Sequence, residues 1–199
     1  MRPRGRGWWA LAIFIGLLVI SPDYLRFYKV VGDSDAPAFV TGDLALVHRA
    51  AFDLRFPYSG MVLLRLSDPK PGDMVLLQIP DGHLALKRIV AGPGTRIAMK
   101  DDHLVINGRE LNYRLIADNE RLVVKRGRVG SLMEVERGNG RDIVVSYSPG
   151  GESVGLHDQE VPAGTFFVLG SNRDLSVDSR SFGPIPRDRI LGKVVAKLW

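Results

Sequence analysis

Ser34 and Lys87 are the residues whose types and settings allow covalent chemistry. Ser34 lies in Gly32-Asp33-Ser34-Asp35-Ala36-Pro37-Ala38-Phe39-Val40-Thr41-Gly42-Asp43, a turn rich in Gly, Asp and Pro. A serine hydroxyl is a weak nucleophile at neutral pH and needs a base within hydrogen-bond reach. Lys87 stands in Leu84-Ala85-Leu86-Lys87-Arg88-Ile89-Val90, an apolar stretch able to bury it. A lysine serves as a base only where desolvation makes its uncharged form accessible. Taken alone, the pair also has a plainer reading, a turn serine and a solvated strand lysine. Residues 170–183 hold a denser polar cluster: Asp178 and Arg180 suit an ion pair that fixes the loop, and Ser176 suits a hydrogen bond that orients a lysine amine.

These groups need a frame, and the sequence predicts a mainly β one. From Tyr28 onward, short apolar or alternating runs are punctuated by Gly, Pro and Asp. Expected strands are Leu44–His48, Met61–Leu66, Asp73–Ile79, Leu84–Ala91, Arg96–Met99, Arg121–Lys125, Leu132–Glu136, Asp142–Tyr147, Thr165–Leu169 and Ile190–Leu198. Asn107-Gly108 between two apolar or alternating runs signals a two-residue hairpin. The more polar residues 100–162 read as an inserted β sub-domain, leaving residues 26–99 and 163–199 to close one catalytic β domain. The stretch Phe52–Leu64 is aromatic and apolar and suits either a lipid surface or its own core.

Residues 1–7 are basic, and Trp8–Ile20 carry no charge. As a helix that run spans about 20 Å, and its flanks bring it close to the ~30 Å of a bilayer core. Residues 8–25 are therefore expected to form one transmembrane helix, with Trp8, Trp9, Tyr24, Phe27 and Tyr28 at the interfaces. Ser21-Pro22-Asp23-Tyr24-Leu25 is a poor cleavage site, which favours a retained anchor over a signal peptide. Arg2, Arg4 and Arg6 place the N-terminus in the cytoplasm and the β domain outside. The net charge of +5 is spread along the chain and is read as topology, not as a nucleic-acid surface.

The chain of 199 residues has no cysteine, which excludes disulfides and thiolate chemistry. The four histidines, His48, His83, His103 and His157, lack metal-ligand spacing, and no nucleotide loop is present. No metal, no cofactor and no nucleic-acid partner are expected.

Taken together, the segments resemble the bacterial type I signal peptidases, the Ser/Lys leader peptidase family. Four blocks carry the resemblance, in order: Ser34–Pro37 with Gly42-Asp43; Lys70-Pro71-Gly72-Asp73-Met74-Val75; Lys87-Arg88-Ile89-Val90-Ala91-Gly92-Pro93-Gly94; and Gly170–Gly183. The resemblance implies Ser34 as nucleophile and Lys87 as general base. It implies that Ser176 hydrogen-bonds the Lys87 amine, that Asp178 and Arg180 brace the loop, and that Arg173 supports it. The oxyanion would be held by the Ser34 N–H, with only backbone donation available at Gly32. A pocket for small residues would be lined by Asp35, Phe39, Ala85 and Leu86. Here the chain departs from the family: Asp35 replaces the usual Met, Ala38-Phe39 the usual Thr-Leu, and Ser171 the usual Asp.

What the resemblance implies is a membrane-anchored serine endopeptidase of the bacterial plasma membrane that removes signal peptides from exported preproteins through an acyl-enzyme. Its partners would be those signal peptides and the lipid bilayer. A peptidase specialised for one pilin-like client and a catalytically silent tethered relative stay open, as does the oligomeric state. Self-cleaving Ser/Lys repressors are disfavoured by the anchor and by the lack of a DNA-binding domain.

Overall fold

The computed structural model describes residues 24–56, 59–116, 132–147 and 155–198, with residues 8–9 and 14–15 of the N-terminal run. Most of the expected transmembrane span, and the expected strand 121–125, lie outside the described residues. Among the described residues no helix is long and apolar enough to cross a membrane.

The main sheet has seven strands: β1 (Leu25–Lys29), β2 (Leu44–His48), β5 (Met74–Gln78), β6 (Leu84–Ala91), β14 (Thr165–Leu169), β15 (Ile185–Pro186) and β16 (Ile190–Leu198). Their spatial order is β1-β2-β16-β5-β6-β14-β15, and every pairing is antiparallel. The central strands explain themselves. Residues 74–77 of β5 and 166–169 of β14 are apolar and buried on both faces, which is why they read as continuous runs and not as alternation. On one face Phe52, Val75, Leu77, Ile89, Phe166, Val168, Ile185 and Ile190 form a core. On the other, Val90, Ala91, Phe167 and Leu169 pack against Ile97, Met99, Leu104 and Leu111 from outside the sheet.

That second layer comes from the chain between β6 and β14. It holds a sheet of β7 (Arg96–Lys100), β8 (His103–Ile106), β9 (Arg109–Glu110) and β13 (Leu156–Glu160), and another of β10 (Asn112–Leu115), β11 (Leu132–Arg137) and β12 (Ile143–Tyr147). A hairpin of β3 (Asp53–Arg55) and β4 (Val62–Arg65) completes the described strands. The Asn107-Gly108 turn joins β8 to β9 with φ of 51° and 75°, the left-handed pair that such a turn requires.

Two expected boundaries move. Asp101 and Asp102 both take positive φ and close the β7–β8 hairpin, so position 100 is the edge of a hairpin turn. The chain leaves the main sheet earlier, at the Pro93-Gly94 turn, where Gly94 has φ 74°. At the N-terminal side, Leu25 opens β1 opposite His48, and Tyr24 is buried with its hydroxyl donating to Arg55 O at 3.0 Å. Neither residue belongs to a membrane span, and Tyr24 does not sit at an interface. β13 carries no signal in the sequence because its residues are polar and mostly exposed, leaving no apolar alternation to detect.

Candidate active site

The turn that carries Ser34 follows β1 and is wound by its own groups. Gly32 takes φ 91°, and its N–H donates to Thr41 Oγ1 at 3.0 Å. Asp33 Oδ1 accepts from both the N–H and the hydroxyl of Thr41, each at 3.1 Å. Main-chain bonds Ala36 N to Asp33 O and Phe39 N to Asp35 O tighten the next residues. Two contacts reach in from elsewhere: Asn172 N donates to Ser34 O at 3.1 Å, and Ser146 Oγ of β12 donates to Ala36 O at 2.9 Å. The backbone around Ser34 is thereby held on both sides.

Lys87 stands mid-way along β6, opposite Val75 of β5, and is only 2% exposed. Its Nζ donates to Ser34 Oγ at 2.7 Å and lies 3.6 Å from Asp35 Oδ2. Asp35 is also buried; its Oδ2 lies 3.4 Å from Ser34 Oγ, and its Oδ1 accepts from Ser171 N at 3.3 Å. Burial raises the Asp35 carboxyl above its ordinary value, while the Lys87 ammonium, the Ser171 N–H and Arg88 pull it back. A half-buried hydroxyl that lines a cleft, in direct contact with a buried amine, supplies the elements of acyl transfer by a serine.

The loop after β14 braces this pair. Asp178 is fully buried and accepts from Gly170 N at 3.0 Å and from Arg180 Nε and Nη2, each at 2.9 Å. It also caps the short helix Ser179–Phe182, whose Arg180 N donates to Asp178 Oδ1 at 3.2 Å. Arg180 Nη2 reaches the carbonyl of Arg173. Arg173 itself is buried against Glu136 of β11 at 2.6 Å, and Glu136 accepts from the Tyr113 hydroxyl of β10. Burial works against the Arg173 charge, and Glu136 with the two tyrosines Tyr113 and Tyr147 more than offsets it, so its pKa is raised.

Residues 6–199 match the family described as signal peptidase, peptidase S26. The chain belongs to that family. It is 31% identical over 193 residues to the signal peptidase I V of Bacillus subtilis strain 168, covering 95% of this chain and 96% of the relative. It is 28% identical over 197 residues to a signal peptidase I of Bacillus caldolyticus, covering 98% and 91%. A crystal structure of a signal peptidase I from Enterococcus faecalis V583 aligns at 26% identity over 65% of this chain and 99% of its own, with a TM-score of 0.41.

Within this S26 peptidase the structure brings Ser34, Lys87 and Asp35 together and seats Asp178, Arg180 and Arg173 behind them. Three expected placements fail. Ser176 Oγ is buried without any hydrogen-bond partner, so it makes no hydrogen bond to the Lys87 amine; it packs over Gly170. The Gly32 N–H is engaged by Thr41, whereas the Ser34 N–H donates to no acceptor among the described residues. Phe39 does not line the cleft beside Ser34: it is buried with Ala45 and Met74, and the Lys197 amine lies over its ring at 5.2 Å. The cleft beside Ser34, about 140 Å³, is lined by residues 28–32 together with Asp35, Leu76, Leu84, Ala85 and Leu86. Among the described residues, no group of three His, Asp or Glu side chains is placed to hold a metal.

Sequence reasoning missed Glu136, Ser146 and Thr41. Nothing in Leu132-Met133-Glu134-Val135-Glu136-Arg137 marks Glu136 as the buried acid, because Glu134 beside it would fit the alternation equally well. Gly170 reads in the sequence as one glycine of a motif, yet a Cβ there would lie 2.2 Å from Ser176 Oγ and 2.4 Å from Ser34 O. The Ser176 side chain can yield; the Ser34 carbonyl is backbone and cannot without moving Ser34 itself. Gly170→Ala is expected to lower stability by about 2–3 kcal/mol and kcat by about 100-fold. Thermal unfolding and cleavage kinetics on the same preparation check both; unchanged kcat would show that the approach is not needed.

Proposed function

We propose that this S26 peptidase removes signal peptides from exported preproteins with Ser34 as nucleophile and Lys87 as general base. The observation that carries this reading is the 2.7 Å contact between the Lys87 amine and the Ser34 hydroxyl, with the amine 2% exposed. An extended substrate adds along the outer face of the cleft near Leu84–Leu86, where main-chain bonds give affinity and shallow side-chain space selects small residues. Ser34 Oγ attacks the scissile carbonyl as its proton passes to Lys87 Nζ, and the oxyanion meets the unengaged Ser34 N–H. Lys87 then returns the proton to the departing amine, leaving an ester on Ser34. Water, deprotonated by the same amine, hydrolyses that ester and restores the enzyme.

The N-terminal run anchors the domain in the plasma membrane with the catalytic part outside. The hairpin β3–β4 supports a lipid-facing orientation, since all of Val62–Arg65 is exposed and Met61, Leu63 and Leu64 are among the exposed apolar side chains. Full-length protein in detergent micelles tests the reading with a preprotein bearing an Ala-x-Ala site. The expected result is one cut after the second Ala and, on acid quenching, the signal-peptide mass added at Ser34. An adduct on any other residue, or a well-folded protein that leaves the preprotein intact, would overturn it. Protease added to intact cells is expected to digest the β domain, and protection would reverse the topology.

A further inference from the structure

Three observations around Lys87 do not belong to a simple pair. The serine expected to orient the amine, Ser176, is not bonded to it. The acid expected at position 171 is Ser171, whose Oγ is buried without a hydrogen-bond partner while its N–H points at Asp35. An acid stands instead directly after the nucleophile, buried and touching both reacting groups, with Lys87 Nζ at 3.6 Å and Ser34 Oγ at 3.4 Å. Because Phe39–Asp35 and Asn172–Ser34 main-chain bonds fix the turn on either side, the Asp35 side chain is committed to this inward direction.

Building on the Ser34/Lys87 reading, we propose that Asp35 is the positioning residue of this site. It holds the Lys87 amine against Ser34, a role that Ser176 leaves unfilled, and its charge sets the pH at which cleavage begins. In the resting arrangement Lys87 donates to Ser34 Oγ, and the Ser34 hydroxyl can donate on to Asp35 Oδ2. Cleavage needs the reverse donation, from hydroxyl to free amine. A carboxylate within about 4 Å favours the charged form of a neighbouring amine, so neutralising Asp35, 3.6 Å from the Lys87 amine, would favour the free amine that cleavage needs. No atoms are gained or lost in this control; one proton is distributed among amine, hydroxyl and carboxyl.

Among the described residues, the charges that act on Asp35 most strongly come from one strand. Lys87 and Arg88 of β6 both favour its ionised form, against the larger opposing effect of burial. Arg88 is in turn influenced by Glu136 of β11, Arg141 and Arg173, and its Nε is buried without a hydrogen-bond partner. Asp35 is therefore the near counter-charge for two consecutive cations, where the family pattern offers an acid at 171. That explains how the chain tolerates an acid in place of an apolar pocket residue.

The test is the pH dependence of kcat and KM for Asp35→Asn, Asp35→Met and Asp35→Glu in the full-length chain, with Tm recorded for each. Asp35→Asn and Asp35→Met are expected to move the ascending limb of kcat about 1–2 pH units toward acid. They should also lower its plateau about tenfold as the amine loses its position, with KM changed less than about threefold. Asp35→Glu keeps the charge and should keep the limb at the wild-type pH. A limb that stays in place for Asn and Met, an effect confined to KM, or a Glu variant that shifts like Asn would each make Asp35 a pocket wall and overturn the proposal. Lys87→Met in the same assay separates the two levels. If it is inactive while the Asp35 limb stays fixed, only this inference fails; if it cleaves normally, the Ser/Lys reading fails with it.

Discussion

Lys87→Met will cleave a preprotein on the order of 10⁴-fold more slowly than wild type, and Ser34→Ala will match it, because members of one catalytic unit are not additive. Met is close in volume to the lysine stem and suits the apolar interior around β6, so the variant should fold. Its cost in stability falls on Asp35. With the ammonium gone, the carboxyl loses the largest of the influences that hold it down, and burial drives it further above 3.8, the ordinary value. A carboxyl whose folded pKa is raised contributes its stability below the unfolded value and loses it as pH rises through the folded value. Lys87→Met should therefore fall further behind wild type in Tm at pH 8 than at pH 5. Kinetics with a fluorogenic preprotein and scans at both pH values check the two halves. A variant within about 100-fold of wild type would remove Lys87 from the chemistry, and a Tm deficit that shrinks with pH would contradict the placement of Asp35.

Asp178→Ala should destabilise the domain by about 3–5 kcal/mol, the usual consequence of stranding one partner of a buried ion pair. Asp178 is fully buried, and the Arg180 side chain it faces is 2% exposed. Removing the carboxylate orphans the Gly170 N–H as well, at the residue whose missing Cβ lets Ser34 O and Ser176 approach. A lone hydroxyl such as that of Ser176, worth about 1 kcal/mol even when bonded, cannot compete with a buried charge. Urea unfolding gives the stability loss. Asp178→Asn separates charge from shape, since it keeps the outline and should lose less. An alanine variant within about 1 kcal/mol of wild type would mean that Arg180 finds another partner and that the loop does not depend on this pair.

Much of the frame could be read from the chain because it is written locally. Alternation and short apolar runs located β2, β6, β14 and β16 at the residues where they lie. Asn107-Gly108 announced its hairpin through backbone conformation alone. Asp178 and Arg180 were recognisable because an ion pair two residues apart needs no knowledge of the fold. β1 is partly hidden in the sequence, since an apolar strand running on from an apolar segment offers no boundary, and Tyr24, which reads as an interface residue, is buried with its hydroxyl on Arg55 O of β3.

The rest turned on direction. Composition allowed Ser176 to face Lys87, Phe39 to wall a pocket and Asp35 to point either way; the turn between Gly32 and Gly42 and the approach at Gly170 chose otherwise. The sequence by itself determined which chemical groups the protein owns and the local turns and strands that carry them, because those depend on neighbours in the chain. The tertiary structure alone decided which buried polar group meets which. The Lys87–Ser34 bond joins residues 53 positions apart and the Ser171–Asp35 bond residues 136 apart, over distances of 2.7 and 3.3 Å. A hydrogen bond weakens steeply with a few tenths of an ångström and with poor angle, and only the packed sheets fix separations that finely.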